Sequence, residues 1–316
     1  MILVIVLSVI FVIFILLYLL TASRIRMMPI YGGGDALDSI FSFFHAGDNI
    51  FTKYLRYCYN ILFHFDFGRS GTMGYRLMIE LKRRIRTTVI ILASGVGATL
   101  IFGIPVGVFT SVHKNRLGDR ALNTVFLILS SIPNYAMALG IALVLAVYLR
   151  IIPLISDSRK PIAYLMPMLT IALGGISSIA RMTRASMIEV LEQPYITALR
   201  AKGLKEVNVI CRHALKNALV PIISALGVLI SQLLCGTLVV EYFFNVPGLG
   251  SYLLRSVGMR DHYEILGCTV FMTIILAVMN IVADVLYASI NPQIRLRYKK
   301  AGKRMSERNR QDESRC

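Results

Sequence analysis

Between two apolar segments lies the stretch PYITALRAKGLKEVNVICRHALKNALVP, residues 194–221. Its basic side chains disfavour a position inside a lipid bilayer. Pro194 suits the first turn of a helix, where a missing N–H costs nothing. Gly203 suits the left-handed position just after a helix end. The stretch therefore predicts a short helix over about 194–202, a turn at Gly203, and a second helix that runs from about Lys205 toward the membrane.

One face of the predicted short helix carries only small residues. Pro194, Ala198 and Ala201 follow one another at i, i+4 and i+7, and they leave room for another backbone to approach closely. Such a face indicates a docking element for a second protein. An ordinary basic loop is the alternative, because loops beside membranes are commonly basic. From these residues alone, both interpretations remain open.

The composition excludes a soluble globular domain. Of the 316 residues, 56% are hydrophobic and 16% are charged, and the mean hydropathy is +0.67. Soluble domains carry about 45–50% apolar and about 25% charged residues. The net charge of +17 could suggest a nucleic-acid partner. However, the basic residues lie between apolar runs and in a C-terminal tail, so we expect them to orient the chain in a membrane rather than to bind nucleic acid.

The apolar runs predict an all-α polytopic membrane protein with six transmembrane helices. Their approximate positions are 2–20, 88–112, 121–149 with an interruption at SSIPN (130–134), 164–181, 219–240 and 265–290. A cleaved signal peptide is the alternative for the first run. That run is longer than the usual apolar region of about 7–15 residues, and no positive charge precedes it.

The spans divide the chain into four parts. These are a first transmembrane helix (1–22), an extracytoplasmic region (23–86), a core of five helices (87–291) that contains a basic loop (181–217), and a basic tail (292–316). Lysine and arginine concentrate in alternate connections and in the tail, which places that loop and both termini in the cytoplasm. The cluster Lys82-Arg83-Arg84-Arg86 then falls outside, against the rule. Aromatic residues in the 23–86 region either pack on one another or rest at the membrane interface.

Several separate motifs resemble one family of bacterial ABC-transporter permeases, the dipeptide/oligopeptide/nickel family. They are the stretch 180–223, DFGRS (66–70), GIPVGV (103–108), SIPNY (131–135), EYFFNVPGLG (241–250) and NIVADVLYASINPQIR (280–295). Together they cover most of the chain in the family's order. The general loop has Glu-Ala-Ala where this chain has Thr197-Ala198-Leu199, and the family's Asp-Pro-Arg near the C-terminus reads Asn291-Pro292-Gln293 here.

This resemblance implies the type I importer permease architecture in a bacterial inner membrane. It implies as partners a homologous permease, two cytoplasmic ATPases that bind ATP and magnesium, an extracytoplasmic solute-binding protein and membrane lipid. The solute would be a dipeptide, an oligopeptide or a related solute such as nickel. The resemblance further implies that EYFFNVPGLGSYLL (241–254) forms a hairpin on the outer side of the membrane.

Three sets of residues are the candidate functional sites. The predicted ATPase-coupling residues are Pro194, Ala198, Arg200, Ala201, Lys202 and Gly203. The predicted lining of the translocation path is Ser130, Ser131, Asn134, Gly174, Gly175, Ser177 and Ser178, although small residues in membrane helices also permit close packing. Asn280 and Asp284 share one face of the last span, where they either anchor a neighbouring helix or form an ion site.

The chain lacks the motifs of the common enzyme classes. It has no Gly-x-x-x-x-Gly-Lys-Ser/Thr phosphate loop, no His-Glu-x-x-His zinc motif and no Cys-x-x-Cys pair. We therefore expect a transport subunit without catalytic residues, metal or cofactor of its own. A secondary transporter or channel is the alternative, and it would need ion-coupling charges near the midplane. A membrane-embedded enzyme would need a polar constellation at one depth.

Overall fold

The computed structural model describes residues 7–8, 10–13, 15–16, 50–70, 74–153, 160–259 and 261–290. Within these residues the regular structure is helical, apart from one isolated antiparallel bridge between Arg69 and Arg76. The predicted all-α class is confirmed. The basic tail and most of the first predicted span lie outside the described residues.

Between residues 50 and 148 the chain contains four helices. Helix α1 (Ile50–His64) lies in the predicted extracytoplasmic region, and α2 (Leu77–Val112) begins early enough to include the basic cluster at 82–86. Helix α3 (Leu117–Ser131) and helix α4 (Asn134–Ala142), which continues as a π-helical turn (Leu143–Tyr148), are bent by 108° at their break. Pro133 explains this break, because proline restricts the residue before it and donates no hydrogen bond. The predicted interruption at SSIPN is therefore present.

The second half contains the other long helices. A 3₁₀ turn (Pro161–Tyr164) leads into α5 (Leu165–Leu191), which extends beyond its predicted end near Arg181. The short α6 (Pro194–Ala201) and α7 (Glu206–Asn208, continued by a π-helical turn over Val209–Ala214) follow. The remaining helices are α8 (Leu215–Phe243), α9 (Leu249–Met259) and α10 (His262–Ile290).

Four stretches of helix are long and apolar enough to cross a membrane: 77–112, 161–191, 206–243 and 263–283. The bent pair of α3 and α4 supplies a fifth if it counts as one span. The described residues therefore support a multi-pass membrane protein with four of the six predicted spans, and with a fifth if the bent pair is one span.

Helices α2 and α5 approach closely because glycine on one faces a larger residue on the other. At each contact, a Cβ added to the glycine would overlap the opposing side chain. These contacts are Gly95 with Ile171, Thr99 with Gly175, Gly103 with Ile179 and Gly107 with Thr183. The numbers rise together along both chains, so the two helices run parallel over about 18 Å.

Parallel packing decides how the bent pair crosses the membrane. Two neighbouring spans that run in the same direction must be joined by a segment that crosses the membrane an odd number of times. The segment between α2 and α5 holds the bent pair of α3 and α4 as its candidate span. We therefore count α3 and α4 as one broken span and not as a re-entrant loop.

The chain forms two compact units. Unit 1 comprises 1–97, 132–173 and 233–277, and unit 2 comprises 98–131, 174–232 and 278–316. The core of unit 1 brings α1 together with the starts of α2 and α10 and with α9; its fully buried members include Ile61, Leu77, Leu81 and Leu249. The core of unit 2 surrounds α6 and is described with the site below.

Gly107→Ala should lower the thermal stability of the purified protein. Its added methyl would overlap Thr183 and the backbone carbonyl of Ala180, which cannot rotate away. Gly97→Ala in the same helix is the matched control, because a Cβ there meets nothing within 4 Å. The control should leave the melting temperature in detergent unchanged or raise it, since alanine favours helix over glycine by about 0.5–1 kcal/mol. Equal stability of the two variants would contradict the proposed register.

Candidate functional site

The predicted short helix and its turn are both present. Gln193 is extended, with φ −72° and ψ 143°, and Pro194 then occupies the first turn of α6. The helix ends at Ala201, and Gly203 has φ +77°, in the left-handed region. Nothing lies within 4 Å of a Cβ added to Gly203, so the backbone conformation alone favours glycine there.

One buried side chain fixes α6 to the longer helices of unit 2. Ile196 is 0% exposed and belongs to a core with Met187 of α5, Val209 and Ala214 of the segment after the turn, and Ala218 of α8. Tyr195 adds a polar tie, since its hydroxyl oxygen accepts a hydrogen bond from Asn217 Nδ2 at 2.8 Å. These contacts position α6 against α5 and α8.

The opposite face of α6 is open. Pro194, Ala198 and Ala201 are all exposed, and Lys202 and Gly203 are exposed beside them. The predicted small-residue face therefore lies on the surface of unit 2, where the described residues leave it uncovered.

Arg200 has a partner that the sequence did not indicate. Its guanidinium binds Glu206 with two hydrogen bonds, Nε to Oε2 at 3.1 Å and Nη2 to Oε1 at 2.6 Å. The pair bridges the turn at Gly203 and holds the start of α7 against α6. Both side chains are about half exposed, so its contribution to stability is modest.

A buried ion pair between α3 and α5 is a second feature that sequence reasoning missed. Arg184 donates from Nε to Asp119 Oδ1 at 2.7 Å and from Nη2 to Oδ2 at 2.8 Å. The same carboxylate accepts hydrogen bonds from the Asn115 amide at 2.9 Å and from Asn123 Nδ2 at 2.6 Å. Asp119 is only 1% exposed, and this full set of donors compensates for its burial.

The connection between α2 and α3 is tied to α5 at one more point. Lys114 Nζ lies 2.7 Å from Glu192 Oε1, just after the end of α5, and both side chains are exposed. Together with Asp119 and Arg184, this contact joins the α2–α3 connection to the end of α5 that leads into α6.

The residues predicted to line a translocation path have mixed surroundings. In unit 2, Ser130 and Ser131 are exposed, and both hydroxyls donate to the Leu127 carbonyl of their own helix. Gly175 is buried against Thr99, and Ser177 is fully buried. In unit 1, Asn134 lies against Gly236. At Gly175 the small residue therefore permits close helix packing, which was the alternative interpretation. For the whole set, which also includes Gly174 and Ser178, lining of a translocation path stays a prediction.

Asn280 lies where α10 meets α8. Its Oδ1 accepts a hydrogen bond from Ser231 Oγ at 3.3 Å, and a Cβ added to Gly227 would lie 3.2 Å from the same oxygen. This position suits the predicted anchoring role. The side chain of Asp284 lies outside the described residues.

In unit 1, a carboxylate organises the predicted hairpin. Glu241, fully buried at the end of α8, accepts hydrogen bonds from the backbone amides of Gly250 at 2.7 Å and Ser251 at 3.4 Å, at the start of α9. A Cβ added to Gly248 would overlap this carboxylate, and one added to Gly250 would overlap the backbone of Leu238. Glu241 was not among the candidate residues predicted from the sequence. An acidic residue at the end of an apolar run is the signal that could have identified it, because a buried charge in a membrane helix normally has a specific partner.

A polar cluster ties the DFGRS segment to the start of α10. Ser70 donates to Asp261 Oδ2 at 2.8 Å, and Asp261 Oδ1 accepts the Glu264 amide at 3.1 Å as a helix N-cap. Tyr75 donates to the Glu264 carboxylate, and burial together with this hydrogen bond raises the pKa of Tyr75 to about 12. DFGRS is thus a turn, with Gly68 at φ +87°.

Comparison with known proteins identifies the family. Residues 103–296 match the family of binding-protein-dependent transport system inner membrane components. The chain belongs to this family. It is a membrane-embedded permease, and the predicted resemblance to peptide-type ABC permeases is confirmed.

Curated relatives cover most of this permease. The dipeptide transport system permease protein DppB of Bacillus subtilis is 34% identical over 82% of this chain and 83% of its own length. The glutathione transport system permease protein GsiC of Escherichia coli K12 is 36% identical over 73% of this chain and 75% of its own. Among solved structures, the inward facing MetNI methionine ABC transporter matches with a TM-score of 0.56 at 18% identity, over 68% of this chain and 98% of that one. This last similarity supports the fold alone.

Arg184→Gln should lower the permease's melting temperature in detergent, because it leaves the buried Asp119 carboxylate without its cation. Removing one partner of a buried pair costs about 3–5 kcal/mol, and the lower end is expected because a quarter of the Arg184 side chain is exposed. The double variant Asp119→Asn/Arg184→Gln should lose less than the sum of the two single variants.

Lys114→Gln is the matched control for that measurement. It breaks the exposed pair with Glu192, so it should cost about 0–1 kcal/mol. If the double variant shows strictly additive losses, the Asp119–Arg184 pair carries no coupling energy and the interpretation is wrong.

Proposed function

We propose that this permease, with a homologous permease, forms the translocation path of an ATP-driven importer for peptides or a related solute. The relatives named for dipeptide and glutathione transport support a peptide-type solute. Nickel chelates remain within the range that the resemblance implies. The solute would be delivered by an extracytoplasmic binding protein, which the family description itself includes.

The open face of α6 is the observation that carries the coupling part of this proposal. Two cytoplasmic ATPases bind ATP and magnesium, and one of them receives Pro194, Ala198 and Ala201 in a surface groove. Small exposed side chains on a helix whose other side is buried allow a close backbone approach without loss of the helix's own packing. This role places residues 181–217 and both termini in the cytoplasm of a bacterial cell.

Movement of α6 would pass directly into the spans. Ile196 is packed against α5 and α8, so α6 cannot shift without displacing them. The Asp119–Arg184 pair then links α5 to α3, the first half of the broken span. ATP-driven closure of the ATPases would thereby re-orient the spans, in an alternating-access cycle.

The residues predicted to line the translocation path and the two predicted helix anchors are part of the same proposal. Ser130 and Ser131 lie beside the break between α3 and α4, where an unwound backbone can line a cavity. Asn280 would brace α10 against α8, and for Asp284 we keep the proposed role of a helix anchor and not of an ion site.

Ala201→Asp should abolish most solute uptake in proteoliposomes and most stimulation of the ATPases by loaded binding protein. The aspartate places a charge where another backbone must approach, and its desolvation costs several kcal/mol. Because Ala201 is exposed and outside the spans, insertion and abundance should stay near normal.

Lys205→Asp is the control for this variant. It introduces the same side chain four positions away, at an exposed helix N-cap where aspartate is favourable. Uptake should remain within about twofold of the parent, as is typical for rim positions. Parental uptake by Ala201→Asp would reject the docking face.

Gly203→Val should also impair coupling, and Gly203→Asn should not. The space around Gly203 is open, so the two substitutions differ mainly in their tolerance of φ +77°. Asparagine adopts left-handed conformations readily, whereas a β-branched residue resists them. Uptake and ATPase stimulation should therefore fall in the valine variant alone. If uptake fell equally in both variants, the added side chain itself would impair coupling, and the left-handed turn at Gly203 would not be the cause.

A further inference from the structure

Helix α1 presents three different faces along its length. One face is buried in the core of unit 1. A second is apolar and exposed, and a third is polar. The exposed apolar row runs at i+4 spacing through Phe51, Leu55, Tyr59 and Phe63. The polar row, also at i+4 spacing, contains Thr52, Arg56, Asn60 and His64.

The exposed row is too apolar for a surface that faces water. Its four side chains are between 51% and 70% exposed, and together they form one continuous stripe. Soluble surfaces rarely leave contiguous apolar patches uncovered, and such patches mark contact with a membrane or another protein.

The core contacts of α1 place it at the edge of the bilayer. Its buried face belongs to the same core as Leu77 and Leu81, in the first turns of α2. The same turns expose Lys82, Arg83 and Arg86, whose charges must remain in water or among lipid headgroups. A helix that shares a core with these turns lies at headgroup depth. With 15 residues it is about 22 Å long, too short to cross a hydrocarbon core of about 30 Å.

The exposed residues just beyond the basic cluster indicate that the occupant is lipid. Val89 and Ile90 of α2 follow Arg86 by one turn and are apolar and exposed on a helix that is apolar and long enough to cross the membrane, so unit 1 faces acyl chains directly below this depth. An apolar stripe beside a polar stripe is the pattern of helices that lie in the membrane plane, and nearby basic side chains add attraction to anionic headgroups.

We propose that α1 is an interfacial helix that lies along the bilayer surface with Phe51, Leu55, Tyr59 and Phe63 inserted at the boundary between phospholipid headgroups and acyl chains. The polar row faces water, and the buried face holds the core of unit 1. This core includes Leu249 and Tyr252 of α9, so the helix fixes the depth of the hairpin region in the membrane.

The chain contains no tryptophan, which allows a direct test. Single variants Phe63→Trp and Leu55→Trp report on the apolar row, and Asn60→Trp on the polar row is the matched control. The full-length chain of each is reconstituted in phosphatidylcholine–phosphatidylglycerol vesicles. Quenching is measured with lipids brominated at shallow or deep acyl positions and with aqueous acrylamide.

Lipid brominated at shallow positions should quench both apolar-row tryptophans at least about twofold more than the Asn60→Trp control. Lipid brominated at deep positions should quench these two tryptophans less than shallow bromine does. Acrylamide should quench the control more than either apolar-row tryptophan. If acrylamide quenches Phe63→Trp and Leu55→Trp as strongly as the control, the stripe faces water and the proposal fails. If both quenchers are excluded, protein covers the stripe and the proposal also fails. Two reporter positions keep the result independent of one variant's folding.

Discussion

The close approach of α2 and α5 depends on glycine opposite a larger side chain at every turn of their contact. Apolar helices inside lipid gain little from the hydrophobic effect, so van der Waals packing and hydrogen bonds hold them together. The order of large and small residues reverses along the contact: Gly95 faces Ile171, whereas Thr99 faces Gly175. If α5 slid along α2 by one helical turn, Ile179 would face Thr99, and the two side chains would overlap. The contact therefore sets both the register and the parallel direction, from which the single crossing by α3 and α4 follows.

The coupling region continues this contact beyond the last glycine. Thr183 fills the space at Gly107, and the next residue, Arg184, binds Asp119 at the start of α3. The same end of α5 supplies Met187 to the core that holds Ile196. One end of one helix thus joins α2, α3 and the docking helix. In the proposed mechanism, force applied at α6 reaches α3 through packed and ion-paired side chains and needs no flexible intermediary.

Features that depend on local sequence were predicted, and features that depend on distant pairing were not. The turn at Gly203 and the break at SSIPN follow from the backbone preferences of glycine and proline within a few residues. The Asp119–Arg184 pair joins positions 65 residues apart, and hydrophobic periodicity carries no information about such partners. Arg200 was predicted as part of the coupling loop, but its bond to Glu206 became apparent only when the turn brought the two together. Helix α2 begins before its predicted start near residue 88, and α5 continues beyond its predicted end near Arg181. In both cases segments with charged residues extend the helix beyond its apolar part.

The basic cluster at 82–86 shows why counting charges is a coarse guide to orientation. Arg84 lies 2.6 Å from Glu80 and stacks on the Tyr252 ring, with its guanidinium carbon 4.5 Å from the ring centroid. A charge bound in this way is part of a folded core and contributes little to the electrostatic field that orients a free loop. The remaining three basic residues lie on the first turns of a helix that shares a core with α1. A segment that folds against an interfacial helix satisfies its charges at the headgroups, so the exception to the rule requires no change in the proposed orientation.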